Sequence, residues 1–267
     1  MSSLKVAMCL SIVASWALAS EPNEQAGQLD VQRIVEKAYQ MAYYQGDDGR
    51  ARVTMTITDK QGRKKTRQFV ILRKDIKDGA DQMYFVYFQS PSEVRRMAYL
   101  VHKHVDKDDD RWLYLPALGL ERRIAAGDKR TSFVGSDFMY EDVSGRSLRE
   151  DVHELADANE RFYKIKNTPK DPQGVEFSYY LVGIDKSTFV PVRMQYYDKA
   201  GKPYRVIEAL KIERIQDFPT VVRSVARDLV TGSQTEMEFS DIRYNIGLSD
   251  EVFTNRSFSR TPREALE

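Results

Sequence analysis

The chain has almost no sulfhydryl chemistry: its only cysteine, Cys9, sits inside the apolar run Val6–Leu18. Disulfides, thiolate metal sites and cysteine nucleophiles are excluded from everything that follows, so stability has to come from packing. Met8 is too large for the position before a lipidated cysteine, and no lipid anchor is read there. An excess of one charge is also missing, since 41 Lys and Arg face 40 Asp and Glu. Lys5 is the one charged residue of the leading segment, so the remainder is balanced and no nucleic acid or other polyanion is implied as a partner. No later apolar run is long enough for a spanning helix. No Gly-rich phosphate loop marks a cofactor, and no linker or low-complexity segment divides the chain.

What is present begins with Lys5, the apolar run and the pattern Ala17-Leu18-Ala19, which together read as a secretory signal peptide cut after Ala19. The expectation is therefore export to the periplasm of a single domain, 20–267, long enough to bury a sizeable core. The chain carries 15 Tyr and 12 Phe among 30% charged residues, which suits a solvated exterior around an aromatic interior.

Asp30 is placed to cap a helix in which Val31, Ile34, Val35, Ala38, Met41 and Ala42 fall on one stripe, with Gly46 ending it. From Arg52 the apolar period becomes two. Val53, Met55 and Ile57 alternate with polar residues up to the turn Asp59-Lys60-Gln61-Gly62, and a second run reaches Leu72. A similar turn, Asp198-Lys199-Ala200-Gly201, joins two late runs. Strands continue in this way to Tyr244, about eleven in all, and short turns with one helix predict a mainly β, antiparallel sheet that curls on itself. One strand departs from alternation: Met83 to Phe88 is apolar on both faces, as when one face packs on neighbours and the other meets a helix or cavity. Tyr84, Phe85 and Phe88 are its candidate cavity residues.

Other constellations are weaker. His102 and His104 share a strand face ahead of Asp106, Asp108, Asp109 and Asp110, a spacing that occurs readily in an Asp-rich turn, and no metal is assigned to it. Ser136 and Asp137 lack the second glycine of a nucleophile elbow, and no catalytic residue is assigned. Asp137, Glu141 and Asp142 stand near Arg122, Arg123, Lys129 and Arg130, which predicts an ion-paired loop fixing the sheet's inner lining. The basic runs Arg63-Lys64-Lys65 and Arg95-Arg96 read as solvated strand ends.

Three stretches carry a family resemblance: Asp110 to Leu118 with Arg122-Arg123-Ile124, then Ser132 to Asp142, then Tyr244 to Leu248 with Val252-Phe253-Thr254. They resemble the outer-membrane lipoprotein-sorting protein family, relatives of the carriers LolA and LolB, over nearly the whole chain after the leader. The resemblance implies an unclosed antiparallel β-barrel whose open side is covered by the N-terminal helix and short helices. It also implies an apolar interior that accepts lipid, lipoprotein acyl chains or other hydrophobic cargo. It adds Trp112, Tyr114, Phe133 and Phe138 to the candidate cavity lining. The branch resembled is the one often found with RND or MMPL-type inner-membrane exporters, which implies such a partner and an outer-membrane acceptor. In the lipoprotein carrier an arginine just after the second strand holds the lid closed. Arg73 stands where that residue would fall, although Lys74 replaces the carrier's next residue, a proline. The expectation is a non-enzymatic carrier; the alternatives are a lipid-processing enzyme using the same cavity, and a structural module whose interior is filled by its own side chains.

Overall fold

The computed structural model describes residues 24–76 and 80–266, with side chains from Val31 onward. The segment read as a signal peptide lies outside the described residues. The first element is helix α1 (Glu24–Tyr43). It starts ahead of Asp30, which therefore lies inside the helix and does not cap it. The first four residues of the apolar stripe, Val31, Ile34, Val35 and Ala38, are buried against Ile165 and Ile184 of the sheet, whereas Met41 is half-buried and Ala42 exposed. Gly46, three residues past the helix, has φ +67°, and a Cβ there would meet Asn245 Oδ1 at 2.8 Å. Only glycine turns the chain here at low cost.

Thirteen antiparallel strands form one sheet. The first six are β1 (Asp48–Thr58), β2 (Lys64–Asp75), β3 (Gln82–Ser90), β4 (Ala98–Lys103), β5 (Asp110–Leu115) and β6 (Leu120–Ile124). The remaining seven are β7 (Asp151–Ala158), β8 (Phe162–Pro169), β9 (Phe177–Asp185), β10 (Pro191–Asp198), β11 (Pro203–Ile215), β12 (Phe218–Asp228) and β13 (Gln234–Tyr244). The spatial order runs β6 to β1 and then β13 down to β7, so β1 pairs with β13 at the centre and β6 and β7 are the two edges. The sheet curls without closing, as expected, but with thirteen strands in place of about eleven. β7 is the strand that alternation does not reveal. It is an edge strand, most of its residues are exposed, and its register shifts between Leu155 and Asp157, so it has no apolar face of period two.

The two faces of the curled sheet have different covers. On the inner face Val53, Met55, Phe69, Tyr84, Val86, Phe88 and Tyr99 form one buried cluster. Its cover is the segment 125–150, which runs from edge β6 to edge β7 and contains the short helix α2 (Tyr140–Ser144). Phe133, Phe138 and Tyr140 of that segment are buried in the same cluster. Phe133 is its centre, with ring centroids of Phe69, Phe88, Tyr99 and Tyr140 between 5.5 and 6.2 Å away. Burying such a ring contributes about 1.5–3 kcal/mol, one part of what offsets the ordering of a connection with little regular structure. On the outer face Val70, Leu72, Phe85, Tyr87 and Leu100 are sealed by the chain's last segment, through Leu248, Val252, Phe253 and Phe258. That segment includes the short helices α3 (Arg256–Ser259) and α4 (Arg263–Leu266). Among the described residues no helix is long and apolar enough to cross a membrane.

Candidate functional site

Between the inner face, the end of α1 and the covering segment lies a cavity of about 320 Å³. β2 and β3 supply Phe69, Ile71, Tyr84 and Val86, the cover supplies Phe133, Phe138 and Val143, and β13 supplies Met237 and Phe239. Strand alternation explains this set, because every second residue of neighbouring strands points inward. A smaller cavity of about 90 Å³ lies beside it, and Tyr43, Asp142 and Pro191 line both. Tyr43 is thus a partition between two apolar spaces.

The residues read from sequence divide by the same alternation. Tyr84, Phe133 and Phe138 line the larger cavity. Phe88 belongs to the inner cluster but packs against Phe69 at 4.9 Å and Phe133 at 6.0 Å, as filled core beside the cavity. Phe85, Trp112 and Tyr114 require correction. They lie on the outer face, where Phe85 and Tyr114 meet Phe258 at 6.3 and 5.5 Å and all three pack in the outer cluster. Phe85 follows Tyr84 by one residue and so must face the other way; the doubly apolar strand has a core on each side. Sequence reading missed α1's contribution of Met41, Ala42 and Tyr43 and the β12 residues Thr220 and Val221. No residue-type signal marks these, since they become lining only through the curl of the sheet.

Arg73 lies within β2, not after it, and faces the cavity. Its guanidinium donates to the carbonyls of Tyr43, Gln45 and Gly46, the last two at 2.6 Å each. A cation at the C-terminal end of α1 thereby satisfies the last helical carbonyl, that of Tyr43, and two carbonyls of the turn after it. Gln82 Nε2 adds a second donor to the Tyr43 carbonyl at 2.8 Å. Lys74 points the other way and donates to the Leu248 carbonyl at 2.7 Å and to Asp250 at 2.6 Å, holding the C-terminal segment to the outer face.

The ion-paired loop expected around residues 122–142 is present, with partners partly different from those nearest in sequence. Glu141, 2% exposed, binds Arg130 at 2.5 Å and Arg146 and Lys129 at 3.3 Å. Burial alone would raise its pKa, but these three cations outweigh it and hold the carboxylate below its ordinary range. Arg130 also binds Glu176 at 2.7 Å, and Arg146 binds Asp151 at 2.9 Å. Asp142 pairs with Arg205. Asp137 accepts from Ser233 at 2.5 Å and Thr235 at 2.6 Å. Lys103, 2% exposed, reaches from the inner face of β4 to the carbonyls of Ser144 and Gly145, with its ammonium over the rings of Tyr39 and Tyr43. Arg122 and Arg123 are exposed on edge β6, where Arg123 pairs with Asp110.

The Ser136 hydroxyl donates to the Phe133 carbonyl at 2.7 Å, a local turn bond. His102 is bound through Nε2 to the Phe253 carbonyl at 2.7 Å, under the C-terminal segment. His104 bridges Asp81 at 2.9 Å and Asp110 at 3.2 Å. The two histidines thus face different partners, and neither is near Ser136 in these bonds. Among the described residues no group of three His, Cys, Asp or Glu is arranged to hold a metal ion. Arg63 closes its own turn on Asp59 at 2.6 Å.

The fold has solved relatives. It superposes with a TM-score of 0.77 on a DUF1329 family protein from Desulfovibrio piger, 28% identical, covering 88% of this chain and 98% of that one. A domain assigned to outer-membrane lipoprotein sorting, from Vibrio parahaemolyticus, also gives 0.77 at 25% identity, with 89% and 100% covered. A LolA superfamily protein from Nitrosomonas europaea gives 0.66 at 18% identity, with 85% and 98% covered, and shows the fold alone. No curated protein matches the sequence. A family model described only as that of an uncharacterized protein matches residues 80–260, which includes β3 to β13 and the covering segment. The chain belongs to that uncharacterized family, and its architecture is that of the LolA-like outer-membrane lipoprotein-sorting proteins.

Proposed function

We propose that this chain is an exported carrier that holds an acyl chain of a lipid, a lipoprotein or another amphiphile in the 320 Å³ cavity and passes it between envelope components. The observation that carries this reading is the cavity itself: an apolar space left open between an otherwise well-packed inner face and its cover. Space lined mainly by apolar side chains accepts apolar guests. Each methylene taken from water into it contributes about 0.8 kcal/mol, enough for a protein to hold a chain that water does not dissolve. The lipoprotein-sorting description of the Vibrio parahaemolyticus relative supports the same reading.

In this reading Tyr84, Phe133 and Phe138 contact the chain and Arg73 keeps α1 in place over it. Residues 1–19 direct export to the periplasm, and 20–267 act as one domain. An RND or MMPL-type inner-membrane exporter and an outer-membrane acceptor are the partners that fit. In this reading the protein stores its cargo and does not transform it, and the Ser136 hydroxyl is committed to a backbone carbonyl.

The test is native mass spectrometry and lipid extraction of purified 20–267, with titration by a fluorescent fatty acid. Co-purified acyl chains displaced stoichiometrically by the probe are expected. Protein free of acyl chains that takes up no probe overturns the carrier reading in favour of a structural module. Loss of co-purified ester lipid with release of free acid, abolished in Ser136→Ala, overturns it in favour of an enzyme.

A further inference from the structure

The ladder between β12 and β13 stops early. Its last backbone pair is Arg223 opposite Glu238, yet β12 begins at Phe218 and β13 continues to Tyr244. The cause is local. Asp241 has φ +49°, and the pairing of β13 with β1 shifts register between Arg50 and Arg52. A bulge of this kind bends a strand and ends pairing on one side. Arg50, 5% exposed at its side chain, binds Asp241 at 2.6 Å and fixes the bulge from the outer face. β13 therefore stays on β1 and parts from β12.

The cavity lies behind this split. Its lining takes Thr220, Val221 and Ser224 from β12 and Phe239, Ile242 and Tyr244 from β13. The wall is also graded in exposure. Phe69, Tyr84, Val86 and Phe133 are buried, whereas Val221, Phe239 and Ile242 are only half-buried and Ala42 of α1 is exposed. The cavity thus meets solvent at the split and at the adjacent last turn of α1.

Side chains replace the missing backbone bonds at the far end. Gln216 accepts from the Tyr244 amide at 2.8 Å and donates to its carbonyl at 3.2 Å. Tyr244 Oη lies 2.9 Å from Thr220 Oγ1 and 3.1 Å from Gln45 Oε1, and Gln45 Nε2 donates to the Pro219 carbonyl at 2.7 Å. These are hydrogen bonds between neutral groups. The covering segment, in contrast, is tied down by the buried Glu141 ion cluster, by Lys103 and by three buried rings. Lifting it would strand buried charges, whereas opening the clasp breaks neutral hydrogen bonds that water replaces and one ring contact, Phe218 on Tyr244 at 4.9 Å.

We propose that apolar chains enter and leave the cavity sideways, through the split between β12 and β13, with Gln216, Thr220 and Tyr244 as its clasp. The inference rests on the cavity's being the cargo site. Its test uses Val221→Cys together with Ile242→Cys in 20–267, which has no native cysteine. A short bis-methanethiosulfonate bridges the pair and is removed by reductant. Uptake of cis-parinaric acid by the bridged protein should slow about tenfold or more and recover on reduction. A second arm is Gln216→Ala, outside the cavity lining, which removes both bonds to the Tyr244 backbone and should speed uptake and release alike, roughly fivefold or more, the factor one to two neutral hydrogen bonds carry, with Kd unchanged. Uptake as fast when bridged as when reduced, with binding intact, overturns the split as the route and leaves the carrier reading standing. Failure of the unmodified chain to bind the probe at all overturns both.

Discussion

The ring of Tyr43 stands over Gly145 so closely that a Cβ on Gly145 would lie 2.6 Å from Tyr43 Cζ. This contact joins the last residue of α1 to the residue that follows α2 in the covering segment, and Lys103 binds the carbonyls of Ser144 and Gly145 there. Gly145 has φ +81°, so alanine meets both backbone strain and the ring. Gly145→Ala should cost about 2–4 kcal/mol in urea unfolding. Gly119→Ala is the control: φ is +58° but nothing lies within 4 Å, so only about 1 kcal/mol is lost. Equal losses at the two sites would show that the Tyr43 contact is not tight.

Removing the Arg73 guanidinium should free the end of α1. Arg73→Met leaves the Tyr43, Gln45 and Gly46 carbonyls short of their donor and should cost about 2–3 kcal/mol. Arg73→Lys should restore only part of that, because one ammonium cannot span three acceptors as a fork does. Hydrogen exchange at the amides of 41–46 should speed in the methionine variant. Unchanged exchange there would mean that Gln82 and the apolar stripe hold the helix without Arg73.

How far these contacts were legible varies with their range. The amphipathic stripe of α1 and the hairpin at Asp59 follow from periods of 3.6 and two, and both appear in the structure. β7 was not legible, because an exposed edge strand needs no apolar face. The doubly apolar strand β3 was visible as an anomaly, but its two cores were not. Phe85 could be assigned to the outer face only by knowing that a C-terminal segment returns to cover it. Glu141 could be expected to pair with nearby cations, and Arg130 and Lys129 do so; Arg205 and Glu176 join through the curl of the sheet. The split between β12 and β13 depends on a bulge at an ordinary Asp, for which no sequence signal exists.

The two faces of β3 should separate stability from binding. Phe85→Ala removes a fully buried ring from the outer core and should cost about 3–5 kcal/mol with fatty-acid affinity unchanged. Ile71→Trp, on the cavity wall, should instead block the chain while changing stability by less than about 1.5 kcal/mol, since the ring enters empty space. Urea titration and probe binding on both variants decide it. Loss of binding in the first with none in the second would reverse the assignment of faces.

Lys103 should make stability depend on pH. Burial pushes its amine down from 10.5 to about 8, against the opposing pull of Asp109. In the unfolded chain the lysine keeps its proton up to its ordinary pKa, so between about pH 8 and 10.5 the unfolded state binds more protons. Stability should therefore rise with pH through that window, by about 3 kcal/mol in full, and be lowest and flat below it. Buried tyrosines oppose the rise above about pH 10, so unfolding is best followed from about pH 7.5 to 9.5. Lys103→Met should lose the slope. The same slope in both proteins would assign it to another group.

Affinity should follow chain length up to a limit that Tyr43 sets. Each added methylene should tighten binding by up to about 0.8 kcal/mol, close to fourfold, as long as it finds space. If a methylene takes roughly the 30 Å³ of a water molecule, the 320 Å³ cavity accommodates on the order of ten carbons. The gain should then level off. Tyr43 separates this cavity from the neighbouring one of about 90 Å³, so Tyr43→Ala should join them and move the plateau several carbons higher. The headgroup should matter little: Arg73 is committed to backbone carbonyls, and the chain's 41 basic and 40 acidic residues leave hydrophobic burial as the main term. Titration with saturated fatty acids and neutral alcohols of matched length, at low and high salt, measures both effects. A plateau unmoved in Tyr43→Ala would place the chain's end away from the partition. Binding confined to the anionic series and abolished by salt would mean that a surface cation, and not the cavity, selects the ligand.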